Sequence, residues 1–435
     1  MLAGNDAYFP LSGYWLSTLG DAARNVATSV ATDSQNNSYV IGLTTPATNG
    51  KALLLVKYDT AGAIQWQRTL SGTADDEGAF VTVDSSDNVY IVGRTFSQGV
   101  GTASCLIAKY DTAGAIQWQR TLGGTVVDYG NGVATDSSGN VYMAAESASQ
   151  ASGYWQSLLV KYNSAGTIQW QRSLNANSDD FGKSVAIDSS GSVYLLGYTI
   201  GTTGSYELLI AKYNSAGTIQ WQKTLAGASN EFLYSLAVDS NDNIYAAGAT
   251  RSEGAGSYSC LLVKYNSAGT LQWQKILYGT GNDQYRGVAV DSNDNIYASG
   301  ISSSTTGGDF DYIIAKYDAS GTLQYQRILG GAGNSFGDAI TIDSADNIYV
   351  TGYTQSTGEG TQDILLAKLP IDGSLTGTYV LDGVNIVYAA SSLTDSASTL
   401  TDSTSSLTAA TSTLTSATST LTSASISLIQ HAVNI

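Results

Sequence analysis

Adjacent carboxylates occur in two comparable settings, Asp75–Asp76 and Asp179–Asp180. Paired carboxyls are the apparatus of glycoside hydrolysis, where one protonates the leaving oxygen while the other attacks or activates water. A second candidate is "DSNDN", in which Asp239, Asn241 and Asn243 open a D-x-N-x-N series of the kind that ligates calcium. That loop has Ile244 and Thr250 where a calcium loop needs glycine and glutamate. A hairpin turn held by Asx-type hydrogen bonds is therefore the expected role, and no metal is expected. Other chemistry has little to work with. The one histidine is His431, near the C-terminus, and a G-x-S-x-G elbow, a P-loop and Cys/His clusters are all absent. Cys105 and Cys260 stand four residues before lysines of equivalent place in separate repeats, which predicts two buried free thiols. The carboxylate pairs also fall at matching places in different repeats, which suits a repeated loop better than one active site. No catalytic set and no cofactor are expected.

Those residues are positioned by a unit written seven times. The lysine of "KY" recurs at Lys57, Lys109, Lys161, Lys212, Lys264 and Lys316, and as "KL" at Lys368, in steps of 51 or 52 residues. A "DS…Y" marker keeps the same rhythm from Asp33 through Asp84, Asp136, Asp188, Asp239 and Asp291 to Asp343. Within the fifth unit, "YSLAVDS", "IYAAGAT", "SCLLVKY" and "TLQWQKIL" are apolar-alternating, β-branched or aromatic runs separated by Asn, Asp, Ser and Gly. They read as four short antiparallel strands. Four-stranded units repeated at a fixed period close radially, so the fold class expected is all-β, a seven-bladed β-propeller. Six units own a fourth strand. The seventh must borrow one, either "GYWLSTLG" around Trp15 or "GSLTGTYVL" at 373–381, and the 51-residue step from Trp15 to Trp66 favours the first. In "IQWQRTL", Trp66 and the stem of Arg68 share a face and should pack on the next blade, the guanidinium meeting the aspartate of a "DS" marker.

The units "SVAIDSSGSVYLLGYT" and "LLIAKYNSAGTIQWQKTL" resemble the SBBP-type seven-bladed β-propeller repeats of bacterial extracellular proteins and phage virion proteins. The likeness covers roughly residues 14 to 370. It implies a propeller in a surface-exposed setting and no fixed catalytic residues.

Composition narrows the partners. A net charge of −17 over 435 residues argues against nucleic acid, and thirteen of the 19 Lys and Arg occupy two fixed repeat positions instead of forming a patch. No apolar run is long enough to span a membrane and the opening residues are not an export signal, which fits a virion surface protein assembled in a host cytoplasm. The segments that vary between repeats are the loops after the fourth and second strands, which share one face and are rich in Tyr, Trp, Asp, Asn, Ser and Gly. Such loops carry recognition in many scaffolds, an inert solvated rim being the alternative. The candidates are Tyr154, Trp155, Tyr206, Tyr258, Phe310 and Tyr312 with Asp76, Asp128, Asp180 and Asp283.

After about Ala390 leucine recurs every seven residues, at 393, 400, 407, 414, 421 and 428, in a Ser/Thr-rich background. An odd period would alternate faces on a strand, so a heptad helix is expected, with a disordered linker as the alternative. The domains expected are a segment 1–13, a propeller 14–382 and a stalk or anchor 383–435. Residues 391–428 would drive homo-oligomerisation, a trimer in particular. Three functions fit: a non-enzymatic virion appendage that binds a host surface glycan or protein and meets other virion proteins, a purely structural spacer, or a carbohydrate-acting enzyme.

Overall fold

The computed structural model describes residues 13–434 apart from 46–49, 100, 150–152, 176–177, 202–203, 307, 357–360, 382, 405–407, 411–414, 419–421 and 426–428. The segment expected at 1–13 lies almost wholly outside the described residues. The chain forms seven antiparallel sheets around an axis. In the first blade the strands run Asn25–Thr32, Ser38–Thr44, Ala52–Tyr58 and Ile64–Ser71, from channel to rim. The seventh blade has Ser335–Ile342, Ile348–Thr354 and Asp363–Leu369 from the end of the repeats, and takes Trp15–Gly20 as its fourth strand. Gly377–Leu381, the other candidate for that place, joins the sixth blade's sheet instead.

Apolar side chains fill the gaps between blades. Leu53, Leu55 and Leu70 of the first blade meet Val89, Ile91 and Leu106 of the second, and each of the other junctions has a similar cluster. Removing these chains from water drives closure of the ring. The repeated "WQR" string adds a latch. Trp66 Nε1 donates to the Thr112 carbonyl of the next blade at 3.2 Å, and Arg172 Nε donates to Gly217 O at 2.8 Å. The arginine therefore grips the neighbouring turn, and the "DS" aspartate pairs with the "KY" lysine instead, as in Lys212–Asp188 at 3.1 Å. The marker carboxylate is taken up by donors of its own hairpin and by the lysine, while turn carbonyls of the next blade receive the guanidinium.

That marker is a turn device. Asp239 Oδ1 accepts from the backbone N–H groups of Asn241 and Asn243 at 2.9 and 2.8 Å, while Oδ2 accepts from Asn243 Nδ2 and Tyr245 Oη at 2.8 and 2.9 Å. Its lone pairs are committed to donors of its own hairpin. Beside it, Ser240 Oγ donates to Asp294 Oδ2 of the next blade at 2.9 Å, and Ser344 to Asn36 Oδ1 at 2.8 Å carries the same clasp across the ring closure. Burial alone would raise the pKa of Asp84 and Asp188, but hydrogen bonds from Asn88, or from Ser190, Ser192, Lys212 and Tyr194, hold both below the ordinary 3.8. A depressed folded-state pKa contributes stability above the unfolded value that is lost as acid protonates the group. Urea midpoints should thus be flat from pH 7 to 5 and fall below about 4. Asp188→Asn should cost about 1–3 kcal/mol at pH 7 and flatten that acid dependence; unchanged midpoints would remove the turn from the stability account.

The helical stalk expected at the C-terminus is not supported: among the described residues the chain has no helix. Val384–Ala390, Thr394–Ala397, Thr401–Thr404, Thr408–Ala410, Thr415–Thr418, Thr422–Ser425 and Ile429–Asn434 are strands. They pair in turn with the rim strands of blades six, five, four, three, two, one and seven. The tail is a belt that passes once round the propeller and gives every blade a further strand. The period of seven matches the step from blade to blade, since the strands that begin at Thr394, Thr401, Thr408, Thr415, Thr422 and Ile429 each pair with the rim of a successive blade. No strand is long enough for the odd period to alternate its faces, and the Thr-rich heptads favour extended backbone. Leu393 and Leu400 are 7% and 5% exposed and join the inter-blade cores. Gln326 and Gln274, the second glutamine of the repeated string, donate to the Leu393 and Leu400 carbonyls at 2.8 and 2.9 Å. Leu407, Leu414, Leu421 and Leu428 lie outside the described residues. Among the described residues the heptads contribute strands, and no helical seam of the kind the trimer expectation rested on is seen there.

Candidate recognition face and axial channel

The two kinds of variable loop meet on one face, here called upper, where parallel bridges join Arg24 to Gln362, Ala103 to Val127 and Tyr258 to Asn282. Four of the expected site residues hold these loops together from inside. Asp76, Asp128, Asp180 and Asp283 begin the inner strands and are fully buried. Asp128 Oδ2 accepts from Gly124 N and Ser149 Oγ, both at 2.8 Å, and Asp283 Oδ2 accepts from Gly279 N and Ser304 Oγ, both at 2.7 Å. With Asp76 Oδ2 accepting from Gly72 N at 2.8 Å and Ser97 Oγ at 2.7 Å, these three aspartates are loop staples, and Asp180 is buried at the matching place. Their neighbours do related work: Asp75 Oδ1 accepts from Lys51 N at 3.0 Å and Asp179 Oδ1 from Trp155 N at 2.8 Å. The carboxylate pairs thus point at loop backbone. Tyr312 is also corrected. It is fully buried between blades six and seven, with its hydroxyl donating to Leu365 O at 3.3 Å.

The remaining aromatic candidates do lie on the face, and they belong to a larger array. The second residue of each inner strand stands opposite a residue of the second strand, as in Glu77–Arg94, Tyr129–Glu146, Phe181–Tyr198 and Phe336–Tyr353. Side chains at these places meet those starting the third strand. Ring centroids run from Phe96 to Tyr129 at 6.5 Å, Trp155 at 5.7 Å, Phe181 at 5.9 Å, Tyr206 at 6.1 Å, Phe232 at 5.2 Å and Tyr258 at 6.2 Å. A second group, Phe310, Phe336 and Tyr353, follows at 5.0 and 4.7 Å. Tyr154, beside Trp155, is 45% exposed. Aromatic rings 4.5–7 Å apart in tilted or stacked arrangement form a rigid apolar surface with polar tips. Charges border it. Arg94 lies over Tyr129 at 4.7 Å, and Glu77 receives hydrogen bonds from both Lys51 and Arg94. Burial would raise the Glu77 pKa, but those two cations hold it below the usual carboxylate range.

Below this surface each inner strand carries one extra residue at a bulge, the register shifting around position 183 in the fourth blade and its equivalents elsewhere. Bulges re-aim a side chain. Here they aim Thr28, Ala79, Asn131, Lys183, Tyr234, Arg286 and Asp338 into the axial channel, where they line a cavity of about 320 Å³. Lys183 is paired with Glu146 at 2.6 Å and Arg286 with Asp338. Burial pushes the Asp338 carboxyl up, with Arg286 pulling it the other way. A sequence signal for these positions existed: they are columns inside repeated strands where the backbone pattern is constant and the side chain changes from unit to unit.

Residues 117–150, 169–203 and 324–358 match the SBBP beta-propeller repeat. The chain carries SBBP beta-propeller repeats. The spacing of the matched SBBP units agrees with four-stranded blades, and the seven blades complete the ring. Among curated proteins, the chain is 25% identical over 264 residues to an uncharacterized WD repeat-containing protein, L264, of Acanthamoeba polyphaga mimivirus. It is 26% identical over 199 residues to the regulatory protein FlaEY of Caulobacter vibrioides. The matches cover 56% and 40% of this chain but only 16% and 20% of those relatives. Among solved structures, a polysaccharide lyase of family PL25, an ulvan lyase bound to -[GlcA(1-4)Rha3S]-, superposes with a TM-score of 0.53 at 11% identity, over 82% of this chain and 96% of that one. The superposition shows the propeller fold alone.

Proposed function

We propose that this SBBP propeller is a recognition module that binds an extended surface glycan across its upper face, without catalysis. The observation that carries the reading is the unbroken series of half-buried rings from Phe96 to Tyr258, over blades two to five. Sugar rings present apolar faces and polar edges, and a surface of this kind offers stacking planes with hydrogen-bonding tips beside them. Carboxylates of the loops are occupied by loop backbone and hydroxyls, which leaves the pairs first considered for hydrolysis with structural work. The setting we propose, on the surface of a virus particle where the module would serve host attachment, follows from the sequence reading alone.

A glycan array probed with the full chain, followed by titration of the best binder, tests this. Trp155 stands in the middle of the series, so Trp155→Ala should weaken binding by tenfold or more, about 1.4 kcal/mol, while leaving the melting temperature near that of the parent. An array on which no glycan binds would return the propeller to the role of structural spacer.

A further inference from the structure

Six of the 19 cations stand outside the two repeat positions: Arg24, Lys51, Arg94, Lys183, Arg251 and Arg286. All six fall at the upper end of the ring or in its channel, although the chain as a whole carries −17. Four are paired with carboxylates, and in the pairs with Glu77, Glu146 and Asp338 the acid is the less exposed side. Lys183 is 20% exposed against 9% for Glu146, and Arg286 30% against 15% for Asp338. Lys51 and Arg94 are 33% and 38% exposed in front of Glu77, at 9%. In these pairs the acid is the less exposed partner, whereas Asp75, 3.7 Å from Lys51, is more exposed than the lysine; of the four cations, Lys183 and Arg286 line the cavity. What a guest meets is the Lys183 ammonium, whose partner Glu146 is not among the lining residues, and the Arg286 guanidinium beside its own partner Asp338, which also lines the cavity. Lys183 and Arg286 flank Tyr234 in the order of the ring, and among the described residues no protein group holds the Tyr234 hydroxyl.

We infer that the channel takes an anionic sugar, its carboxylate received between Lys183 and Arg286 with the Tyr234 hydroxyl as a third donor. This rests on the glycan reading above and names the class within it. A cavity of about 320 Å³ is at the lower end of small-ligand sites, roughly 300–1,000 Å³, the scale of a single sugar ring. Charge-assisted bonds to a carboxylate are about twice as strong as neutral ones, so the acidic sugar is favoured over a neutral one of the same shape. From the channel the glycan passes over Phe181 and Tyr198, the rings that Lys183 itself overlies at 5.5 and 5.3 Å.

Calorimetric titration of the full chain with glucuronate, glucose and glucose 6-sulfate tests the assignment. Glucuronate should bind at least tenfold tighter than glucose, and the preference should shrink as salt rises. Lys183→Gln together with Arg286→Gln should bring the glucuronate-to-glucose ratio to about one. Should that double variant melt early, Tyr234→Phe, which keeps both ion pairs, should still lower glucuronate affinity several-fold. Equal affinity for glucose and glucuronate would overturn the inference, as would tighter binding of glucose 6-sulfate than of glucuronate. If neutral glycans bind the array through Trp155 while no acid preference exists, the inference fails and the glycan reading stands. If the array is silent, both fall.

Discussion

Truncation after Ser391 destabilises the propeller and makes it self-associate. Such a chain keeps all seven blades but loses six of the seven belt strands, exposing the rim edge of blades one to five and seven. Unpaired strand edges template association with other chains. Leu393 and Leu400, which seal the outer ends of two inter-blade cores, go with them. Burial of those two side chains alone is worth about 3–6 kcal/mol. Denaturant midpoints of the full and shortened chains, together with light scattering over a concentration series, give both effects. An identical midpoint and a concentration-independent mass would mean that the belt does not hold the ring.

Trp15→Ala opens the ring where it is not covalently continuous. Trp15 is 1% exposed, stacks on Tyr58 of the first blade at 6.1 Å, meets Tyr349 of the seventh at 6.2 Å and donates to Thr60 O at 3.2 Å. One residue thus fastens both sides of the closure. Truncating a buried tryptophan costs about 3–5 kcal/mol. The equivalent change Trp118→Ala, at a junction where the chain runs on, should cost less, because the blades stay tethered and the indole is only half-buried. Hydrogen exchange locates the effect: in the Trp15 variant, amides of Trp15–Gly20 and Asp363–Leu369 should exchange first. Equal losses for the two variants would place no special weight on the closure.

Much of this architecture is written in the repeats. A 52-residue period, alternating strands and Asn/Asp/Ser/Gly turns specify blades, and the step from Trp15 to Trp66 identifies the strand that closes the seventh. The belt was hidden because its period belongs to the ring. Leucines seven apart suggest a helix when the segment is read by itself, and only the blade-to-blade distance shows why each heptad begins a new short strand. The aromatic face we propose for recognition was half legible. Trp155, Tyr206, Tyr258 and Phe310 stand out as aromatics in variable loops, and they lie on it. Aspartate in a loop reads equally as ligand or staple, and burial with backbone donors makes Asp76 and Asp128 staples. Phe181, Tyr198, Lys183 and Arg286 escape a search confined to loops because they are strand residues that a bulge or a strand end turns toward the axis.

The belt also fixes how such a chain can change in size. After Val384–Ala390 on blade six it spends one heptad on each of the other six blades, and Ile429–Asn434 pairs with the strand that closes the ring, with Trp15 opposite Asn434 and Gly20 opposite Ile429. Loss of a blade without loss of a heptad would leave a strand with no rim to join, and gain of a blade alone would leave a rim uncovered. Repeat and heptad form two scales of one vernier, and growth or shrinkage of the propeller keeps register only when both move by one unit together.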